Sequence, residues 1–206
     1  TVAASFPIGI ATAKRAGGKL DRAITVFNQV CMSIPPVFVG ILLCFVFGIT
    51  LRVFVPGRFV TFGEDPGGFL LYMLFPALAV ALSRIAMTVK MLRSSILDEM
   101  EKDYIRTAFS RGWTRVDALK KHALRNAIIP VIAFLGVTAA ELVAGSIVVE
   151  QVFAVPGLGQ LLLSSIGSRD FPVAQAVVIL LATWVVVVNF IADVLYQYMD
   201  PRIRIR

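Results

Sequence analysis

The sequence predicts an all-α membrane protein with several spanning helices. Hydrophobic residues make up 58% of the 206 residues, charged residues only 16%, and the mean hydropathy is +0.83. A soluble domain is closer to half apolar, with about a quarter of its residues charged. The apolar residues also fall in runs long enough to cross a bilayer, which takes about 20 helical residues. We therefore expect about five spans in this chain, the first of them partial.

The apolar runs follow one another in a regular order. Residues 1–13 are uncharged but too short to cross a bilayer, so we expect them to be the inner end of a span that began upstream. The next span, from about Ala23 to Thr50, contains Pro35-Pro36. Each of these prolines removes a backbone donor, which predicts a kink. Further spans are expected over about 70–89, 128–149 and 173–196, and the loop 150–172 is expected to hold short amphipathic pieces and a turn at Pro156-Gly157.

The distribution of positive charge orients these spans. Sixteen of the twenty Lys and Arg residues lie in every second loop: 14–22, 90–125 and 202–206. The alternate loops, 51–69 and 150–172, hold only three. Because positively charged loops face the cytoplasm, 51–69 and 150–172 are expected outside and 90–127 inside. The net charge of +7 is thus a topology signal that requires no nucleic-acid partner.

One polar, basic stretch, 103–130, lies between two predicted spans. It reads DYIRTAFSRGWTRVDALKKHALRNAIIP, which suggests two short helices, Tyr104–Ser110 and Thr114–Asn126, separated by Gly112. Thr114 is positioned to cap the second helix, with Asp117 three residues later. A basic helix–Gly–helix unit between spans either lies on lipid or docks a soluble partner. Composition alone favours lipid.

The residues of this stretch resemble the cytoplasmic coupling loop of ABC importer permeases. That pattern is Glu-Ala-Ala, three residues, Gly, nine residues, then Ile-x-Leu-Pro. Arg106-Thr107-Ala108 take the first positions, Gly112 takes the glycine position, and His122 and Leu124 take those of Ile and Leu. Arg106 and Thr107, His122 and Arg125 depart from the general pattern. These departures are typical of the oligopeptide/dipeptide/nickel branch of the family.

Other parts of the chain extend the resemblance. Ser33-Ile34-Pro35 is similar to a signature in the family's third span, and 148–176 is very close to its external segment. The ending Asp200-Pro201-Arg202 also fits. The chain is most similar to the first, B-type, of the two permease subunits, and the resemblance covers essentially all of its residues.

This resemblance implies a type I permease fold for residues 1–206, as the C-terminal part of a longer permease, with the cytoplasmic coupling loop at 98–127. It implies an ATP-driven importer in a bacterial or archaeal inner membrane, with a C-type permease, two ATP-binding subunits and an extracytoplasmic solute-binding protein. The solute would be a dipeptide or oligopeptide, with nickel, glutathione or another small solute as alternatives. ATP and Mg would bind to the partner subunits, and this chain would bind no cofactor. The expected ATPase-coupling residues are Tyr104, Arg106, Thr107, Ala108, Arg111, Gly112, His122 and Leu124.

No sequence pattern supports catalysis or ATP binding by this chain. The phosphate-loop spacing GxxxxGK[ST] is absent, including around Gly17-Gly18. The single His122 has no Cys or second His nearby, which argues against a metal site. An intramembrane enzyme would need a catalytic pair at membrane depth, and none is present. A passive channel or structural membrane protein is the other rival class, and it would have no need for a docking loop.

Polar groups and helix breaks inside the spans suggest a translocation path. Such features usually face the protein interior or a cavity. The candidate path residues are Ser33, Pro35, Pro36, Arg84 and Glu141. A simple packing kink would equally explain the prolines, and a structural ion pair or a contact with the partner permease would explain Arg84 and Glu141. A link to the arginine-rich tail explains Asp193.

Overall fold

The computed structural model describes residues 1–199, except for the side chains of 143–145 and 199. Regular structure within this range is entirely helical, which confirms the all-α prediction. The helices are α1 (Val2–Lys14), α2 (Lys19–Ser33), α3 (Pro36–Leu43), α4 (Pro66–Met100), α5 (Asp103–Ser110), α6 (Arg115–Ala118), α7 (Leu124–Phe153), α8 (Leu158–Gly167) and α9 (Phe171–Met199). The tail, with basic loop 202–206, the Asp200-Pro201-Arg202 ending and the expected partner of Asp193, lies outside the described residues.

Two π-helical segments complete the regular structure. Cys44–Thr50 extends α3, and Leu119–Ala123 joins α6 to α7 without a break. The second of these is functionally relevant because it makes one long helix out of the residues that follow Gly112. We therefore find one separate short helix, α5, in the basic stretch, and not two.

Three helical runs are long and apolar enough to cross a membrane: α4, Arg115–Leu142 and α9. Two bent pairs would bring the number to five, α2 with Pro36–Thr50 and Ser146–Phe153 with α8. The upper figure equals the expected number of spans, but the two sets differ. The sequence prediction counts residues 1–13 as a partial span, whereas α1 is one of the shorter apolar helices. The fifth candidate in the structure is the pair Ser146–Phe153 with α8, and α8 lies in the loop 150–172, where short amphipathic pieces were expected.

The predicted interruption at Pro35-Pro36 is confirmed, and it is a full break between two helices. α2 ends at Ser33 and α3 begins at Pro36. Pro35 is extended, with φ −60° and ψ 140°, and Pro36 occupies the first turn of α3. Proline is well tolerated there because the first backbone N–H groups of a helix have no intrahelical acceptor. The second proline therefore starts a new helix instead of bending the old one.

The chain divides into two compact units, each with its own core. Among the described residues, unit 1 contains Thr1–Ser33, Arg84–Thr138 and 189–199. Its apolar core is Ala13, Leu92, Ile96, Leu119, Ala127 and Val131. An ion pair reinforces it: Arg93 Nε and Nη2 donate to the two carboxylate oxygens of the buried Asp21, at 2.6 and 2.8 Å.

Unit 2 contains Ile34–Ser83 and Ala139–Val188. Its core is largely aromatic: Phe54, Tyr72, Phe75, Ala79, Val149 and Phe153. The Phe54 and Phe75 rings stack at 4.4 Å between centroids. The Tyr72 hydroxyl donates to the carbonyl of Phe153 and accepts the N–H of Gly57 at 3.2 Å. These contacts hold the loop before α4 against α4 and the end of α7.

Candidate functional site

The candidate site is built around α5, the short helix that follows α4. Ile105 is fully buried and packs with Ala118 and Ala123, and the side chains of Met100 and Trp113 cover this cluster. Burying a side chain of this size stabilises the arrangement by about 1.5–3 kcal/mol. Tyr104 and Phe109 flank this stripe on its two sides and remain 39% and 40% exposed. The face opposite the stripe carries the exposed residues Asp103, Arg106, Thr107 and Ser110. The helix therefore rests on one apolar stripe and presents a polar face outward, with a partly exposed aromatic ring on each side.

Gly112 ends α5 in a left-handed turn. Its φ is +84°, and no neighbouring atom lies within 4 Å of the position that a Cβ would occupy. The N–H of Trp113 donates to the carbonyl of Ala108 at 3.2 Å, and the N–H of Gly112 donates to that of Phe109 at 2.9 Å. This pair of bonds is the Schellman motif, in which glycine is favoured because it has no Cβ. The expected role of glycine here is confirmed.

Thr114 caps the helix that begins immediately after this turn. Its hydroxyl oxygen accepts the N–H of Asp117 at 3.2 Å and donates to the Asp117 carboxylate at 2.6 Å. The predicted cap is thus confirmed. The predicted helix end at Asn126 is wrong, because the helix continues through the π-helical segment into α7. No Gly or Pro occurs between Gly112 and Pro130, so the sequence contains nothing that would stop it.

A polar network ties α5 to the two long helices. The Tyr104 hydroxyl donates to Glu99 Oε2 in the last turn of α4, at 2.6 Å, and accepts from Asn126 Nδ2 in the first turn of α7, at 3.2 Å. Lys102, the N-cap of α5, pairs with Oε1 of Glu99. Partial burial, together with the hydrogen bond to Glu99, raises the pKa of Tyr104. Its hydroxyl therefore remains protonated, and able to donate, at neutral pH.

Trp113 contacts two further side chains of the basic stretch. Its ring meets the His122 ring edge-to-face at 5.1 Å between centroids, and the Lys121 ammonium lies 4.6 Å from its centroid. Such a cation–π contact contributes about 0.5–1 kcal/mol at an exposed site. The turn after Gly112 is thereby packed against the π-helical segment.

The surface around α5 is strongly basic. Its exposed cationic side chains are Arg106, Arg111, Arg115, Lys120, Lys121 and Arg125. Two of the acidic residues nearby lie within the basic stretch: Asp103, 3.5 Å from Arg106, and Asp117, which hydrogen-bonds Thr114. Three more precede α5: the exposed Asp98 and Glu101, and Glu99, which is bound by Lys102 and Tyr104. A surface of this kind suits a partner whose face is concave and either is acidic or binds aromatic side chains.

Comparison with known proteins identifies the chain. Residues 5–205 match the family model described as "Binding-protein-dependent transport system inner membrane component". The chain belongs to this family. With its several long apolar helices, this family member is a multi-pass inner-membrane protein.

The relatives of this transport-system component are permeases. It is 39% identical to the oligopeptide transport system permease protein AppB of Bacillus subtilis (strain 168), over 97% of this chain and 64% of that protein. It is 32% identical to the dipeptide transport system permease protein DppB of the same organism, over 99% and 64%. It is 43% identical to DppB of Escherichia coli (strain K12), over 69% and 42%. The chain thus spans about two thirds or less of the length of these relatives, and their similarity confirms the resemblance to oligopeptide and dipeptide permeases.

The structure brings the predicted coupling residues of this family member together in unit 1. Five are exposed around α5 and its turn: Tyr104, Arg106, Thr107, Arg111 and Gly112. The other three point inward. Ala108 is buried, His122 is half-buried against Trp113, and Leu124 packs on the core of unit 1. These three shape the surface from beneath.

The predicted path residues are divided between the two units. Ser33 and Arg84 belong to unit 1, whereas Pro35, Pro36 and Glu141 belong to unit 2. Ser33 is exposed at the end of α2, and its hydroxyl donates to the carbonyl of Gln29 at 2.9 Å. Arg84 is half-buried in α4, and Glu141 is exposed on α7.

Sequence reasoning missed the polar residues that hold these surfaces in place. Arg93 was counted only among the basic loop residues, Asp21 was not singled out, and Glu99 and Asn126 carried no motif. Glu150 accepts the N–H groups of Gly159 and Gln160 at 2.8 and 3.1 Å, and so caps α8. The one available signal was a carboxylate close to a predicted helix start, as at Asp21. Partners such as Arg93, 72 residues away, become visible only in three dimensions.

Proposed function

We propose that this chain is a permease subunit of an ATP-driven importer that carries dipeptides or oligopeptides. Its family and its similarity to oligopeptide and dipeptide permeases support this proposal. Nickel, glutathione or another small solute is the alternative, because related carriers share the framework. Binding of peptides, but not of Ni²⁺ or glutathione, by the transporter's extracytoplasmic binding protein would support the peptide assignment. The opposite preference would replace it.

We further propose that α5 docks into an ATPase subunit and that residues 98–127 act as the coupling loop. The observation that carries this proposal is the exposed face of α5, where Arg106, Thr107 and Ser110 lie opposite the buried stripe that anchors the helix. The chain lacks the phosphate-loop sequence, so partner subunits would bind ATP and Mg and would hydrolyse the ATP. A second permease and a solute-binding protein would complete the complex.

The continuity of the helix after Gly112 suggests how the motion of α5 would reach the membrane. Arg115–Leu142 is a single helical run, apolar enough to cross a bilayer. A displacement of α5 by ATP-driven closure of the partner would therefore act directly on a spanning helix. Alternating access requires rigid elements of this kind, moving between inward and outward openings.

Charge reversal at α5 tests the docking proposal. In the complete transporter, Arg111→Glu should reduce co-purification of the ATPase subunits, because it places an anion on a basic docking surface. Arg58→Glu, a reversal at an exposed arginine of the loop 51–69, is the matched control and should have no effect. Equal recovery of ATPase with both variants would contradict docking by α5. It would favour a helix lying on lipid, or a passive channel.

The candidate translocation path is proposed to run along the break at Ser33 and Pro35-Pro36. A helix interrupted at membrane depth leaves backbone carbonyls that need partners, and water in a cavity can supply them. Arg84 and Glu141 are competing candidates. Single cysteines should be tested for solvent accessibility in the intact complex at Ser33, Val37, Arg84 and Glu141. Labelling at the last two positions alone would move the path away from the proline break.

A further inference from the structure

The contacts of Tyr104 join three helices at one point. Tyr104 lies in the first turn of α5, its donor contact is Glu99 in the last turn of α4, and its acceptor contact is Asn126 near the start of α7. Lys102 adds an ion pair to the same carboxylate. We refer to Glu99, Lys102, Tyr104 and Asn126 together as the α5 anchor.

The α5 anchor differs in kind from the apolar contacts of the same helix. Ile105 packs against its cluster without a directional preference, so that contact resists removal of α5 more than it resists rotation. Hydrogen bonds depend steeply on angle and distance. The side chain of Glu99 is only 12% exposed and is bound by both an ammonium and a hydroxyl group. Charge-assisted bonds in such a sheltered position are stronger than neutral ones in water.

We propose that the α5 anchor is the mechanical link that passes a displacement of α5 to α4 and α7 together, with Glu99 as its positioning residue. This inference rests on the proposed docking of α5 to an ATPase. Without the anchor, α5 keeps its apolar contacts and its exposed docking face, but its connections to the long helices are the Glu101-Lys102 turn and the Gly112 turn. Part of the displacement of α5 is then lost as a rotation of α5 itself and does not reach α4 and α7. The loss therefore appears as less solute moved for each ATP hydrolysed.

The test measures the ratio of solute transport to ATP hydrolysis in the complete transporter reconstituted in liposomes. Glu99→Ala should lower this ratio about three- to tenfold, the range expected when one or two hydrogen bonds that fix an orientation are removed. The matched control is Glu64→Ala. Glu64 is an exposed carboxylate in the loop 51–69, outside the proposed coupling loop, and it hydrogen-bonds only its neighbour Thr61 among the described residues. Its replacement should leave the ratio unchanged.

Two milder variants separate positioning from folding. Tyr104→Phe keeps the ring and removes the oxygen that joins Glu99 to Asn126, so it should lower the ratio with the complex fully assembled. Glu99→Gln should recover part of the loss seen with Glu99→Ala, because its amide oxygen still accepts from Tyr104. The double variant Glu99→Ala/Tyr104→Phe should be no worse than the worse single variant, since both remove the same network.

Two results would overturn the inference. One is a wild-type ratio in assembled Glu99→Ala and Tyr104→Phe complexes; the other is strictly additive losses in the double variant, which would mean that the two residues act independently. Failure of the proposed function is visible separately and before any variant is made. A wild-type complex that neither binds an ATPase nor transports solute removes the docking proposal, and this inference with it.

Discussion

Replacing Gly112 separates the backbone strain of the turn from the steric demands of docking. The residue has φ +84°, where an L-amino acid with a Cβ is disfavoured by about 1–2 kcal/mol, yet a Cβ at this position meets open space. Gly112→Ala therefore introduces strain alone. Gly112→Asn should be milder, because asparagine tolerates the left-handed region. Gly112→Trp adds a large ring that projects outward beside α5, onto the proposed docking surface.

We expect a graded loss of function in this series. Gly112→Asn should transport at nearly the wild-type rate and Gly112→Ala several-fold more slowly, since about 1.4 kcal/mol corresponds to a factor of ten. Gly112→Trp should abolish uptake while the protein still inserts into the membrane. The assays are solute uptake by cells or liposomes, co-purification of the ATPase, and the amount of permease in the membrane fraction.

Gly17 provides the matched control for the tryptophan variant. It also has a positive φ, +81°, and also has no atom within 4 Å of a Cβ, but it lies in the turn between α1 and α2. Gly17→Trp should therefore carry the same backbone strain and retain most of the uptake. Wild-type uptake by Gly112→Trp would refute the docking argument. Equal losses of uptake in Gly17→Trp and Gly112→Trp would show that backbone strain alone explains the effect.

Three further predictions follow from the topology and the packing. Membrane-impermeant thiol reagents added from outside should label a cysteine at Ser168 but not at Ser110, both exposed positions; the reverse pattern would overturn the orientation. Tyr72→Phe leaves the carbonyl of Phe153 without its donor, so it should lower the stability of unit 2 by about 1–3 kcal/mol, as measured by thermal unfolding in detergent. Ala154 has a φ of +50°, so Ala154→Gly should raise the melting temperature, and a lower value would show that this strain is absent.

Much of the fold could be predicted because a membrane chain must satisfy its backbone within each helix. Apolar run length predicted the three long spans, and Pro35-Pro36 predicted the interruption of the second. The local signals in the candidate site were equally direct. Gly112 and Thr114 each act on hydrogen bonds within a few residues, so their roles as turn glycine and helix cap could be predicted before any contact was known.

The elements that were predicted incorrectly depend on forces beyond a local window. The helix after Thr114 was expected to end at Asn126, where its polar character ends, but a change of polarity does not break a helix. Residues 150–172 were expected to be a loop with short amphipathic pieces, but the cap of α8 could not be predicted, because Glu150 accepts N–H groups nine and ten residues away.

The sequence by itself determined the class of the protein, its spans and the position of the basic stretch that we propose as a docking site, because hydropathy, charge asymmetry and turn chemistry all act along the chain. Tertiary structure alone decided which side chains hold the helices of unit 1 together. Asp21 pairs with Arg93, and Tyr104 with Glu99 and Asn126, through hydrogen bonds of 2.6 to 3.2 Å between different helices. Such partners are selected by distance and direction in space, and no periodicity or motif in one chain encodes either quantity.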